Sequence, residues 1–254
     1  MAVRRPPRDL VIPVVVMLWI AVGATIDHDA GIWRQRAVGV ATWSVLLLLL
    51  RGEPRRVRAQ VGVVMAFATL VEFTASPLLG MYIYRLHNVP LYVPAGHGMI
   101  YLAALAIGRS SLASRHARRF TLGALGLCGA WALWGVTLAA RSDLLGLILF
   151  LCLVRFVLVG RQPLVYAGAF VVCTYLELVG TGMGAWTWAG HGPLGWVSQG
   201  NPPSGIPGAY CFLDAAGLRF APRVVTLLDG LPALRWSRPA APVPPLEEPS
   251  RVSA

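Results

Sequence analysis

Over most of the chain, long apolar runs alternate with short breaks that carry arginine, proline and glycine. The runs 11–26, 61–74, 122–140 and 144–159 are nearly free of charge and approach the roughly 20 residues that cross a bilayer as a helix. None alternates with the period of two that a membrane barrel needs. A backbone in lipid must satisfy its own hydrogen bonds, so the pattern predicts helices. Eight are expected, near 10–26, 37–50, 59–79, 91–108, 121–140, 143–160, 164–181 and 203–218, the second and last being the shortest. Beyond them, 220–231 is apolar with Arg223 and Asp229 interspersed, which predicts a short helix along the membrane interface. From Pro232 onward proline and alanine dominate, and a disordered tail is expected.

Composition supports lipid as the solvent. Of 254 residues, 56% are hydrophobic and 13% charged, with a mean hydropathy of +0.63, more apolar surface than one soluble core can hide. The formal charge of +11 does not imply a nucleic-acid partner, because the arginines stand at the ends of apolar runs. Sorted by side of the expected helices, 18 of the 22 basic residues fall with the N-terminus, and only Arg34, Arg36, Arg85 and Arg141 fall opposite. Positive charge is retained on the cytoplasmic side, so both termini are expected there, as an even helix count requires. The cell membrane is the expected location. Arg4, Arg5 and Arg8 before the first apolar run have the layout of a secretory signal, but no small-residue cleavage site follows, and a retained first helix is expected. Cys128, Cys152, Cys173 and Cys211 lie inside apolar segments without metal-type spacing and read as small buried hydrophobes.

An internal repeat organises the chain. Glu72, Ser76, Gly80, Tyr82 and Tyr84, followed by Pro94-Ala95-Gly96, are echoed by Glu177, Thr181, Gly184, Trp186 and Trp188, followed by Pro203-Ser204-Gly205. The common pattern is E-x3-[ST]-x2-3-G-x-[YW]-x-[YW], with P-[AS]-G opening the next helix. An offset just over 100 residues spans four helices, so the halves run in parallel and both motif loops emerge on the extracytoplasmic side. The expected fold is therefore an all-α polytopic bundle of two parallel four-helix repeats, 1–112 and 113–219, with 220–254 as interfacial helix and tail.

Glu72 and Glu177 each stand about two thirds along an apolar span, where a bare carboxylate costs several kcal/mol. Each must be neutral, paired or facing a polar cavity. Desolvation favours the protonated carboxyl, which suits a proton donor. The alternative is a hydrogen bond that only ties the halves together. Tyr82, Tyr84, Trp186 and Trp188 alternate at period two beyond the helix ends, either as an interfacial belt or as a cavity wall whose π faces stabilise a cation. His97 and Asp214 join them as candidate substrate-binding residues. Counting from the P-[AS]-G positions, His97 aligns with Ile206 and Asp214 with Leu105, an asymmetry that suits one cavity serving one reaction. Asp27-His28-Asp29 has acidic and imidazole groups, and a D-x-D in a first outer loop is also found in membrane glycosyltransferases. Its spacing to His87, His97, Asp143, His191 and Asp214 is not that of a metal site, and neither metal nor cofactor is expected. The stretch 201–208 cannot begin as a regular helix, because its prolines lack donors and its glycines loosen the backbone, so it is expected to line a pocket or cap the last helix.

At these residues the chain resembles the carotenoid-biosynthesis membrane family that includes bisanhydrobacterioruberin hydratase. The resemblance rests on 72–98, with Gly80-Met81-Tyr82-Ile83-Tyr84 and Val89-Pro90-Leu91-Tyr92-Val93-Pro94, and more loosely on 177–188. The His of Gly96-His97-Gly98 and the Asn-Pro-Pro-Ser-Gly segment depart from it. It implies addition of water to a terminal isoprenoid double bond, with Glu72 and Glu177 as acid and base, in an order the residues leave open. A lipid or isoprenoid would then be the partner. Two other readings remain: a nonenzymatic lipid or small-molecule carrier built on the same cavity, and a membrane scaffold.

Overall fold

The computed structural model describes residues 6–230. Among them the chain is helical apart from one small ribbon: α1 Pro6–Asp27, α2 Ile32–Leu50, α3 Arg55–Phe73, β1 Tyr82–Tyr84, α4 Tyr92–Arg109, α5 Ser111–Arg115, α6 Ala117–Thr137, α7 Leu144–Val159, α8 Pro163–Gly182, β2 Trp186–Trp188 and α9 Pro207–Gly230. Eight of these helices have 16 residues or more and fall where the apolar runs predict them. Four are long and apolar enough to cross a membrane: Arg8–Asp27, Arg55–Leu78, Ala117–Thr137 and Pro163–Gly182. α7 is equally apolar but shorter. Large apolar side chains such as Leu18, Trp33, Val40, Leu70, Leu127 and Leu158 project outward with more than half of their surface exposed. A belt of that kind is what a surface solvated by hydrocarbon presents.

Several boundaries differ from expectation, and α1, α3 and α6 each begin four residues earlier than expected. α2 begins at Ile32, so Arg34 and Arg36 lie within its first turns. α9 begins at Pro207, not at 203, and runs unbroken through Pro222 to Gly230, so the expected interfacial segment is its continuation up to that point. The expected tail lies outside the described residues.

α4 is the axis of the molecule. It is buried from Val93 to Ala106 on nearly every side and packs against α1, α2, α3 and α8. α9 lies between α3 and α7, and α6 closes the outside of α7 and α8. At one end, Glu53 between α2 and α3 accepts from both terminal nitrogens of Arg109 at 2.8 Å and from Nε of Arg8 at 3.1 Å, while Asp9 takes Arg109 Nε. This cluster fastens α1, α3 and α4 together. The ribbon closes the other end, where Arg85 donates to the carbonyls of Asp27 and Ala30, and Arg141 to those of Trp188, Ala189 and Gln199.

The ends of α3 and α8 set up the site. After Phe73 the helix widens into a π-turn over Thr74–Leu78, with Leu79 N–H reaching Thr74 O at 2.9 Å. Pro77 inside this turn has no N–H to give, which removes one rung of the ladder. Gly80 then takes a left-handed φ of 61°, and Gly184 after α8 takes 69°. Few side chains tolerate that region, and it turns each chain back over the helix it has just left. The two returning segments pair antiparallel, Tyr82 with Trp188, Ile83 with Thr187 and Tyr84 with Trp186. Alternation puts all four aromatic rings on the inner face, while Ile83 points away.

Candidate functional site

Glu72 is the penultimate residue of α3, and the returning ribbon places two phenols directly over it. Tyr82 and Tyr84 both donate to its Oε2 at 2.7 Å. His97, in the second turn of α4, reaches Oε1 through Nε2 at 2.8 Å. Both carboxylate oxygens are therefore engaged. An N–H on Nε2 is what a carboxylate selects, which leaves Nδ1 as the other ring nitrogen, buried and without a protein partner. The imidazole is clamped in plane by Tyr210 of α9, stacked at 5.1 Å between centroids with an angle of 21°.

Glu177 occupies the corresponding place in α8 with a different set of donors. Trp186 and Trp188 each give their indole N–H to Oε2 at 3.1 Å. The Trp186 ring fits against Gly180, where any Cβ would strike it. Oε1 of Glu177 accepts no hydrogen bond among the described residues. The local frame thus occurs twice: a carboxyl near a helix end, a left-handed glycine, and two aromatic donors folded back onto one oxygen. Cross-strand packing joins the two frames, with Tyr82 and Trp188 at 4.6 Å and Tyr84 and Trp186 at 6.1 Å between centroids. Here the aromatic residues do more than form a belt: they wall a cavity and fix the carboxyls.

That cavity has a volume of about 380 Å³ and is walled mostly by apolar side chains. Glu72, Glu177, His97 and Tyr210 face it, opposed by Leu145 and Leu149 of α7. A smaller chamber of about 80 Å³ lies between α1, α2, α4 and α8 and shares Tyr92, Gly96, Ile100, Leu176 and Trp186 with it. With low polarity around them, the hydrogen bonds to the carboxyls are worth more than in water.

Asp214 does not stand on this wall. It lies one turn beyond Tyr210 on α9, 2% exposed, with Oδ2 lacking any partner. Asp27, His28 and Asp29 serve the turn between α1 and α2: Asp27 accepts from Tyr92 at 3.1 Å, and His28 Nδ1 meets Met183 O at 2.6 Å. Asp143 is drawn into the 199–208 segment. Among the described residues, no three His, Cys, Asp or Glu side chains gather as a metal site.

Sequence reasoning missed Tyr210, Arg141 and Gln199. Tyr210 had a signal, because it stands opposite Tyr101 at the offset that pairs His97 with Ile206. Arg141 was assigned only to a side of the bundle, yet it holds β2 by its carbonyls. A scan of family models, a search of curated proteins and a search of solved structures each return no match for this chain.

Proposed function

We propose that the chain crosses the bilayer eight times as two parallel four-helix repeats, with its arginine-rich end and both termini in the cytoplasm, and that it is an enzyme adding water to a terminal isoprenoid double bond. The eight long helices and the twofold recurrence of the carboxyl frame support the first part. So do the positions of Arg85 and Arg141 at the ribbon end and of Arg8 and Arg109 at the other.

One observation carries the chemical reading: two carboxyls share an apolar cavity but differ in what holds them. Glu177 has Oε2 taken by two indole N–H groups, so a proton on this carboxyl resides on Oε1. From there it passes to the less substituted carbon of the alkene. The π pair forms the new C–H bond and leaves a tertiary cation, steadied by the aromatic faces. Water attacks the cation through oxygen, and its surplus proton goes to the Glu72–His97 pair, which holds negative charge beside the imidazole. Transfer back to Glu177 restores the starting state, and no other reactant is consumed. The unlike hydrogen-bond patterns support Glu177 as the acid and Glu72 as the base, in the way that paired carboxyls of unlike surroundings divide such roles.

The test is pigment and lipid profiling of a lycopene-accumulating bacterial host with and without the full chain. A product heavier by one water is expected, and it should vanish with Glu177→Gln while the variant still accumulates in the membrane. An unchanged profile with wild-type protein present overturns the reading. Retained turnover in Glu177→Gln overturns the assignment of the acid.

A further inference from the structure

An apolar cavity that performs hydration has to receive water without exposing its cation to bulk solvent. The polar groups beyond the cavity floor are not used by the chemistry described above, and several are buried without partners. Tyr101, 1% exposed, follows His97 by one turn on α4 and has no partner for its hydroxyl. Asp214 follows Tyr210 by one turn on α9, and its Oδ2 is equally alone. Residues four apart on a helix share a face, so His97 and Tyr101 form one rail and Tyr210 and Asp214 another. The rails are joined at the top by the stacking of His97 on Tyr210.

They stay together below. A Cβ built on Gly217, one turn beyond Asp214, would stand 2.8 Å from Val64 Cγ2, 3.3 Å from the backbone carbonyl oxygen of Gln60 and 3.7 Å from the Tyr101 ring. Gln60 of α3 is 4% exposed, and its Oε1 also lacks a partner. Gln60 on α3, Tyr101 on α4 and Asp214 on α9 are thus buried polar residues grouped within about a turn of Gly217, each with a polar atom that lacks a protein partner.

Buried polar groups cost free energy unless hydrogen-bonded, and in proteins those without protein partners are satisfied by ordered water. We propose that Gln60, Tyr101 and Asp214 bind a file of water molecules that delivers the hydrating water to the Glu72–Glu177 cavity past Tyr210. The proposal rests on the hydratase reading for its purpose. The three residues are positioning residues, since they act through the water they hold and not on the alkene.

Product partition in D2O distinguishes this role from a structural one. After deuteration by Glu177 the tertiary cation has two exits: capture by water gives the alcohol, and loss of a proton returns an alkene carrying deuterium. With the full chain in vesicles and lycopene as probe, wild type should give mainly alcohol. In Tyr101→Phe and Asp214→Leu the ratio of alcohol to deuterated alkene should fall about tenfold, the effect of losing one hydrogen bond of ordinary net strength. The sum of the two products should hold, and Asp214→Asn, which keeps two hydrogen-bonding atoms, should restore most of the ratio. An unchanged ratio, or an equal fall of both products, overturns the proposal. A second measurement does not depend on turnover: radiolytic hydroxyl-radical labelling, which marks side chains touching bound water. It should modify Tyr101 in wild type and fall several-fold in Asp214→Leu. If wild type yields neither alcohol nor deuterated alkene, the hydratase reading fails, and labelled Tyr101 still establishes the water file. Unlabelled Tyr101 overturns it in either case.

Discussion

Asp143 offers a sharp test of how the second half of the site is held. It is 3% exposed and caps α7, and its acceptor capacity is divided between that cap and the segment that follows β2. Oδ1 accepts from Gly146 N at 3.0 Å and Gly200 N at 2.7 Å, and Oδ2 accepts from Ser204 N and Ser204 Oγ at 2.7 Å each. The segment so fixed carries Asn201, whose Oδ1 receives the backbone N–H of Trp188 at 3.0 Å. Trp188 in turn holds Glu177. The same anchoring lets Gly205 and Gly208 lie against the backbone of α7 at Gly146 O and Leu149 O, with no room for a Cβ.

Asp143→Asn is isosteric, yet it is expected to be costly. With Oδ1 in place, the new Nδ2 faces the Ser204 N–H, donor against donor. Ser204 Oγ can rotate to accept, but the backbone N–H cannot. One stranded buried donor costs about 1–3 kcal/mol, and the remaining bonds lose their charge assistance, for about 3 kcal/mol in all. Flipping the amide is worse, because Nδ2 then meets two backbone donors. Denaturant unfolding in detergent, followed by tryptophan fluorescence, measures the loss and reports on Trp188 itself. A variant within roughly 0.5 kcal/mol of wild type, the range of an ordinary surface change, would refute the account.

Two further outcomes are expected elsewhere. Burial alone pushes the Glu53 carboxyl up, but the Arg109 and Arg8 guanidinia outweigh it and hold the group below the usual carboxylate range. A carboxyl depressed in the folded state stabilises above its unfolded pKa of about 4 and loses that stabilisation as pH falls through the folded value, so its contribution should fade only below about pH 4. Glu53→Gln should cost about 2–3 kcal/mol at neutral pH and flatten that acid limb in a melting series against pH. Gly96 lines both chambers, and a Cβ there meets nothing within 4 Å. Gly96→Ala should therefore leave thermal stability unchanged or raise it by up to about 1 kcal/mol while slowing turnover of lycopene, whereas undiminished turnover would show that the substrate does not reach past the junction.

The helices were legible because each is an apolar run bounded by charge or proline, and the errors have local causes. The start of α9 was placed at 203 because Pro203-Ser204-Gly205 resembles Pro94-Ala95-Gly96. Asp143 instead takes the Ser204 N–H, and regular helix begins at Pro207, where a missing N–H has no consequence. The ribbon was half legible. Period-two aromatics pointed to extended chain with one shared face, but strands of three residues carry too little pattern to reveal their partner or register. The approach of His97 to Glu72 spans 25 residues and has no counterpart at Ile206, so no repeat logic could expose it.

That last departure sets the two carboxyls apart. Had both frames kept the same donors, the cavity would hold two equivalent carboxyls facing each other in an apolar space, with nothing to separate acid from base. Tyrosine hydroxyls and an imidazole around Glu72 occupy both oxygens and set a positive or dipolar partner beside a negative charge. Both indoles donate to Oε2 of Glu177, as both phenols do to Oε2 of Glu72, but no histidine reaches Oε1 of Glu177, which keeps that oxygen unclaimed. Both frames return over their helix through a left-handed glycine, after a π-turn in α3 and without one in α8, and their donors differ. On the hydratase reading, the free Oε1 of Glu177 follows from Ile206 standing where the other frame has His97. Replacing the indoles by phenols, which also donate, would be a milder change than supplying Glu177 with a histidine of its own from position 206.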